Sequence, residues 1–172
     1  MKASRVLLLV AILIIAGILG WHFSRHSPSS GETITVYYTK DDGTSEVPWT
    51  VSVRPRSPKD TDAQRANDVA LYSATQAVAG PSSDVHAIRF PAGTHVLSAN
   101  VTGSTATVDL SGEVKNTASG VGGESAEFKA LTWSLTALPG IDSVAVRVEG
   151  QRVKTLPGGH LELDEPLRRS DF

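Results

Sequence analysis

Between Val6 and Phe23 the chain reads VLLLVAILIIAGILGWHF, 18 residues without a Lys, Arg, Asp or Glu. At ~1.5 Å per residue such a helix spans ~27 Å, close to the ~30 Å hydrocarbon core of a bilayer. A helix buried in a water-soluble domain keeps a polar stripe every third or fourth residue, and this one has none. The segment therefore predicts a membrane span. Lys2 and Arg5 would also suit a cleaved secretory signal, but Trp21, His22, Phe23, Arg25 and His26 stand where a cleavage site needs small residues. The expectation is a retained single-pass anchor. Lys2 and Arg5 outweigh Arg25, which places the N-terminus in the cytoplasm and the rest of the chain on the extracytoplasmic, periplasmic side of the cell membrane. The division that follows is 1–24 for the cytoplasmic tip and anchor, 25–31 for a linker, and 32–172 for one domain.

Beyond residue 31 the balance is 13 basic against 18 acidic residues, a net charge of −5. A nucleic-acid surface needs clustered Lys and Arg to displace counterions, so that partner class is excluded. Cys is absent, which excludes disulfides, thiolate metal sites, Cys nucleophiles and a lipid-modified N-terminal Cys.

Thr33-Ile34-Thr35-Val36-Tyr37-Tyr38 alternates like a half-buried strand, and Asp42-Gly43 supplies a tight turn into a second strand, Glu46 to Val53. Pro48 has no amide to donate and assigns that strand to an edge or a bulge, with Glu46 and Arg54 as further protection against stray pairing. Thr61-Asp62-Ala63-Gln64 fits a capping box and opens a helix from about Asp62 to Ala79. Its inner stripe is Ala66, Val69, Ala70, Ser73, Ala74, Ala77 and Val78, and Gly80-Pro81 ends it. His95 to Val101 and Thr105 to Leu110 form a hairpin. The glycine-containing stretch Ser111 to Gly123 predicts a loop into a second helix, Glu124 to Leu138, with Phe128, Leu131, Leu135 and Leu138 on its apolar face. Strands at Ser143 to Val148 and Arg152-Val153 complete the order ββαββαββ. The class is α+β, a mixed or antiparallel sheet with both helices on one face.

The chemistry is sparse. Gly120-x-Gly122-Gly123 matches neither nucleotide-binding fingerprint, and Glu124 and Glu127 in the expected first turn would repel an anion while complementing the helix dipole. His22, His26, His86, His95 and His160 show no ligand spacing. Asp41-Asp42 and Asp164-Glu165 lie in expected turns. No G-x-S-x-G elbow occurs. The reading assigns no catalytic residue, no cofactor and no metal.

The order of motifs resembles the GerMN domain of bacterial envelope proteins linked to sporulation and germination. The residues that carry it are Ile34 to Tyr38, Gly43, Val47-Pro48, Ala79-Gly80-Pro81, Phe90-Pro91-Ala92-Gly93-Thr94, Ala106 to Ser111, Leu135 to Val144 and Pro166 to Phe172. The likeness runs from about Thr33 to Phe172 in a single copy, with a longer polar stretch at Ser82 to Ala87. It implies an extracytoplasmic, tethered, non-catalytic interaction module in envelope assembly, with an envelope protein as partner, and a fold related to ring-building domains. The alternative is a ligand-binding or sensory module for a small ligand. Candidate contact residues are Phe90, Pro91, Gly93, Thr94, Asp109 and Ser111. Oligomeric state is left open.

Overall fold

The first strand forms where the alternation places it. Strand β1 (Thr33–Thr39) buries Ile34, Val36 and Tyr38 along one face. Strand β2 (Glu46–Ser52) returns antiparallel, with Trp49 opposite Val36 and Pro48 opposite Tyr37. Hydrogen bonds from Val53 N to Glu32 O and from Lys40 N to Ser45 O fix the phase of this ladder. Tyr37 and Pro48 are then a non-hydrogen-bonded pair, and the donor that Pro48 lacks would have pointed outward. Glu46 departs from its expected protective role. It turns inward, 3.2 Å from Lys129 Nζ, and its side chain is buried.

The computed structural model describes residues 31–82, 85–116 and 120–172, of which Glu32–Phe172 is one compact unit. The expected anchor, Val6 to Phe23, lies outside the described residues. Among those residues no helix is long and apolar enough to cross a membrane.

Helix α1 (Asp62–Ala79) starts at the expected box: Gln64 N donates to Thr61 Oγ1 at 3.2 Å, and Thr61 N donates to Gln64 Oε1 at 3.0 Å. Ala70, Ser73, Ala74, Ala77 and Val78 are buried, while Ala66 and Val69 are half-buried. Gly80, at φ 77°, stops the helix in a conformation that suits glycine.

Strands β3 (Val96–Thr102) and β4 (Thr105–Leu110) form the expected antiparallel hairpin. Helix α2 (Gly120–Leu135) then carries the chain across to β5 (Ser143–Val148), which lies parallel to β4. A two-residue β6 (Gln151–Arg152) closes on β5. The second sheet has the order β3-β4-β5-β6, and β1-β2 is a separate sheet. The α+β class stands, but two sheets replace the expected one. The free edge of β1 takes no strand because α2 occupies it: Tyr37 N donates to Ser134 Oγ at 2.8 Å, and the same hydroxyl lies 3.3 Å from Tyr37 O.

Helix α2 begins four residues earlier than expected, and this changes two carboxylates. Glu124 and Glu127 are buried in its body instead of lining a solvated first turn. Glu124 Oε2 accepts His160 N at 2.8 Å and so ties the helix to the C-terminal segment. Phe128, Leu131 and Leu135 are fully buried, and Leu138 is buried in the turn beyond the helix. Phe90 meets Phe128 edge to face, with centroids 5.6 Å apart. The C-terminal stretch adds Leu156, Leu163 and Leu167 to this core, and Leu167 pairs with Val144 through bonds of 2.8 and 2.9 Å.

Candidate functional site

Two regions present side chains for a function: the loop end of the larger sheet, where the sequence places its candidates, and the outer flank of α1. At the loop end, β4 and β5 finish side by side at Leu110 and Val148. The segment from Phe90 to His95 meets the 3₁₀ turn Gly112–Lys115 there. His95 N donates to Ser111 Oγ at 3.1 Å, Ser111 N donates to His95 O at 3.0 Å, and a Cβ on Gly93 would stand 3.3 Å from Glu113 Cγ. Gly93, Thr94 and Ser111 are thus brought together.

Phe90 is a core residue, buried against Phe128. Pro91 accepts Thr94 N in a turn at 3.0 Å. Asp109 points to the next turn, where its Oδ1 accepts Gly150 N at 2.9 Å. That turn has positive φ at both central residues, Glu149 at 52° and Gly150 at 78°, as a two-residue hairpin between right-twisted strands requires. Lys115 Nζ lies 3.0 Å from Glu149 Oε2 and holds the less permissive residue in place.

The electrostatics of this end are local. Glu113 is held below the usual carboxylate range by the Ser111 hydroxyl first, then by its own backbone amide and the charge of His95. His95 Nδ1 lies 2.9 Å from Gly93 O. The polar groups of Asp109, Ser111 and His95 are therefore engaged with neighbouring backbone. Thr94 Oγ1 is buried without a hydrogen-bond partner. Among the described residues no cluster of three or more His, Asp or Glu could hold a metal ion.

The second region was not legible as a site. Between the end of β2 and α1 runs a groove of about 540 Å³ with Val53 and Arg54 on one bank and Asp68, Leu71 and Tyr72 on the other. Leu71 is 38% and Tyr72 36% exposed, and Trp49, on the same face of the hairpin as Val53, is 44% exposed. The signal was present in the sequence as two large apolar residues on α1 opposite its small-residue stripe, and as a tryptophan next to Pro48 in an edge strand. On the other side of Val69 a cavity of about 200 Å³ is lined by Arg56, Val101, Leu138 and Ile141. Arg65, buried and paired with Glu32, borders both spaces. Asp60 sits below its usual range because the Ser57 amide donates to it, with Arg54 adding to the effect.

A third cluster is closed on itself. The guanidinium of Arg169 lies 4.8 Å from the Trp133 ring and 5.6 Å from the Tyr37 ring, and its Nε donates to Thr136 Oγ1 at 2.7 Å. It clasps the C-terminal segment onto α2 and β1.

A family model described as Germane, sporulation and spore germination, matches residues 35–154. Among solved structures, the tandem GerMN domains of the sporulation protein GerM from Bacillus subtilis are 24% identical, with a TM-score of 0.61, over 83% of this chain and 48% of theirs. This chain thus spans about half the length of that tandem protein. The first GerMN domain of the same protein is 26% identical, with a TM-score of 0.60, over 81% of this chain and 99% of that domain. A comparison with curated proteins gives no match.

Proposed function

The chain belongs to the Germane family of sporulation and spore germination domains, and from that premise we propose that it is a non-catalytic interaction module, held on the extracytoplasmic face of the cell membrane by Val6 to Phe23, that serves envelope assembly. One contrast carries this reading. Asp109, Ser111 and His95 at the loop end are engaged with neighbouring backbone, whereas Leu71 and Tyr72 stand exposed along a groove and Trp49 is exposed on the β1–β2 hairpin. Chemistry needs unspent polar groups that converge on a substrate; association needs accessible apolar surface.

The test is in-membrane photo-crosslinking of the full chain, with the crosslinker scanned over surface positions. The expected result is a discrete envelope-protein adduct that disappears when residues 32–172 are removed. A turnover signal abolished by one substitution that leaves the fold intact would overturn the reading. Asp109→Asn keeps an acceptor oxygen for Gly150 N and should leave function unchanged. A second reading, a small-ligand or sensory module, is favoured by the unpartnered Thr94 Oγ1 between two loops. It predicts a ligand whose affinity falls in Thr94→Val.

A further inference from the structure

The solvent side of α1 carries one continuous stripe. With 3.6 residues per turn, Gln64, Asp68, Leu71, Tyr72, Thr75 and Ala79 fall within ~100° of one another around the helix, and all six are exposed. The large apolar pair stands near the middle of the helix, Asp68 and Thr75 flank it, and Gln64 and Ala79 lie a turn further out. Tyr72 is at the edge of the stripe towards Val69 and Gln76, which line the β2–α1 groove with it. Leu71 is at the other edge, towards Asn67.

Any helix stripe has nearly the same spacing read from either end; the residue types decide whether it fits a copy of itself. A two-fold axis that crosses α1 between Leu71 and Tyr72 sets a second α1 antiparallel on the first and brings each edge of the stripe against the same edge of the other copy. Leu71 then meets Leu71, and Tyr72 meets the groove bank of the second copy, where Val53 and Arg54 stand. Asp68 comes opposite Thr75, and Gln64 opposite Ala79. An apolar centre is thus covered by an apolar centre, and no charge is set against its like.

Charge selects this orientation. Beyond residue 31 the chain carries a net −5, so a contact between copies has to keep acids apart. Asp68 is the one charged residue of the stripe. Arg54 Nη2 lies 3.0 Å from it and 3.1 Å from Asp60, which leaves the three groups with one negative charge. In the antiparallel crossing the two Asp68 positions are ~10 Å apart along the helix, about one Debye length. A parallel crossing would put them face to face. Thr75 Oγ1 gives its hydrogen to Leu71 O at 2.7 Å and faces the second copy as an acceptor. Arg54 keeps N–H groups on Nη1 and Nε to meet it. An unrelated partner needs the apolar pair but places no demand on the residues that flank it; a second copy does, and the stripe meets that demand.

We propose that the occupant of this surface is a second copy of the chain, seated antiparallel on α1 through Leu71 and Tyr72 in a two-fold dimer. The inference rests on the interaction reading above and deepens it by naming the partner at that surface.

Because the chain has no cysteine, single-cysteine variants of the full chain in mild detergent report the contact by disulfide trapping. Leu71→Cys should convert mostly to dimer on oxidation, and Gln151→Cys, exposed in β6 of the larger sheet, should not. Asp68→Cys mixed with a longer-tagged Thr75→Cys should give several times more mixed dimer than either variant gives homodimer. Adding Tyr72→Arg to the Leu71→Cys protein sets a like charge against Arg54 of the second copy and should cut the dimer about tenfold or more, with circular dichroism showing that the fold persists. Trapping at 71 no greater than at 151 overturns the inference, as does a dimer unchanged by Tyr72→Arg. Homodimers of Asp68→Cys and Thr75→Cys as abundant as the mixed dimer overturn it too, because they exclude the antiparallel seat. In the crosslinking scan, an adduct of a different protein at 71 or 72 without a self-adduct overturns the inference and leaves the interaction module standing. Turnover abolished by one substitution that leaves the fold intact overturns the interaction reading itself, whatever the trapping shows.

Discussion

Ser134→Ala isolates the contact that separates the two sheets. Ser134 Oγ accepts Tyr37 N at 2.8 Å, and its single hydrogen is shared between Ala130 O at 2.7 Å and Tyr37 O at 3.3 Å. Without the hydroxyl, Tyr37 loses the partner of its amide, and β2 cannot supply another because it lies on the opposite edge. An orphaned buried donor costs ~1–3 kcal/mol. Tyr37 is half-buried, which puts the expected cost at the lower end, ~1–2 kcal/mol. With a urea slope of about 2 kcal/mol per molar, the midpoint should fall by ~0.5–1 M. Thr75→Ala is the control, because Thr75 Oγ1 donates to Leu71 O within one exposed helix turn and closes no strand; it should stay within about 0.5 kcal/mol of wild type. Amide exchange supplies a second readout, in which the Tyr37 amide should lose protection in Ser134→Ala and keep it in Thr75→Ala. An unchanged midpoint with a protected Tyr37 amide would refute the argument that a side chain closes this edge.

Leu135→Ala should cost ~2–5 kcal/mol, since the side chain is fully buried in the α2 seam, while exposed His95→Ala should cost far less; equal denaturation midpoints for wild type and Leu135→Ala would contradict the assignment. Gly159→Ala should destabilise by ~1–3 kcal/mol because the new Cβ falls within contact distance of both Glu124 carboxylate oxygens. Glu124→Ala should then cost less in the Gly159→Ala background than in wild type, and strict additivity in this double-mutant cycle would show that the two groups do not meet. Asp42 is held below the usual carboxylate range by the Ser45 amide first and the Thr44 amide next. Its lowered folded value means that its stabilising effect is complete above the ordinary carboxylate range and is lost as pH falls through the lowered value. Asp42→Asn should therefore flatten the acid limb of a midpoint-against-pH curve, and an unchanged limb would count against the turn contact.

What could be read from residues alone follows the range of the forces involved. The Thr61 capping box, the small-residue stripe of α1, the β3–β4 hairpin and the edge position of the strand that carries Pro48 are settled by near neighbours, and all four are present. The start of α2 lies before Glu124, where local pattern does not place it, because Gly120, Gly122 and Gly123 carry poor intrinsic helix propensity. Burial of the helix body among Phe128, Leu131 and Leu135 outweighs that propensity. The inward turn of Glu46 depends on Lys129, and the burial of Glu124 depends on His160. Neither partner is near in sequence, so no local pattern announces them. The same holds at the candidate site: Gly93 lies against Glu113 in the turn after β4, and the β2–α1 groove lies where Glu32 and Tyr38 bond to α1, contacts between residues far apart in sequence.

The way strand edges are closed narrows how this domain can associate. The outer edge of β1 ends on the Ser134 hydroxyl, and the amide of Val101 in β3 donates to Asn67 Oδ1 at 2.8 Å from α1. On the far side of β5, β6 pairs with Arg147 and Val148 while Leu167 bridges to Val144. On β2 the missing Pro48 donor interrupts the outward ladder in mid-strand. Four edges are thus managed, two of them by helix side chains that accept a strand amide, and each device works against the addition of a further strand. Association through backbone pairing is therefore disfavoured, and the accessible alternative is a side-chain surface. Leu71 and Tyr72 provide one on α1, along the groove bordered by Val53 and Arg54. Their exposure has no role in the core, where the opposite face of the same helix is already filled by Ala70, Ala74, Ala77 and Val78. Large apolar groups on the solvent side of a helix whose inner stripe is made of small ones favour a contact outside the domain over stability within it.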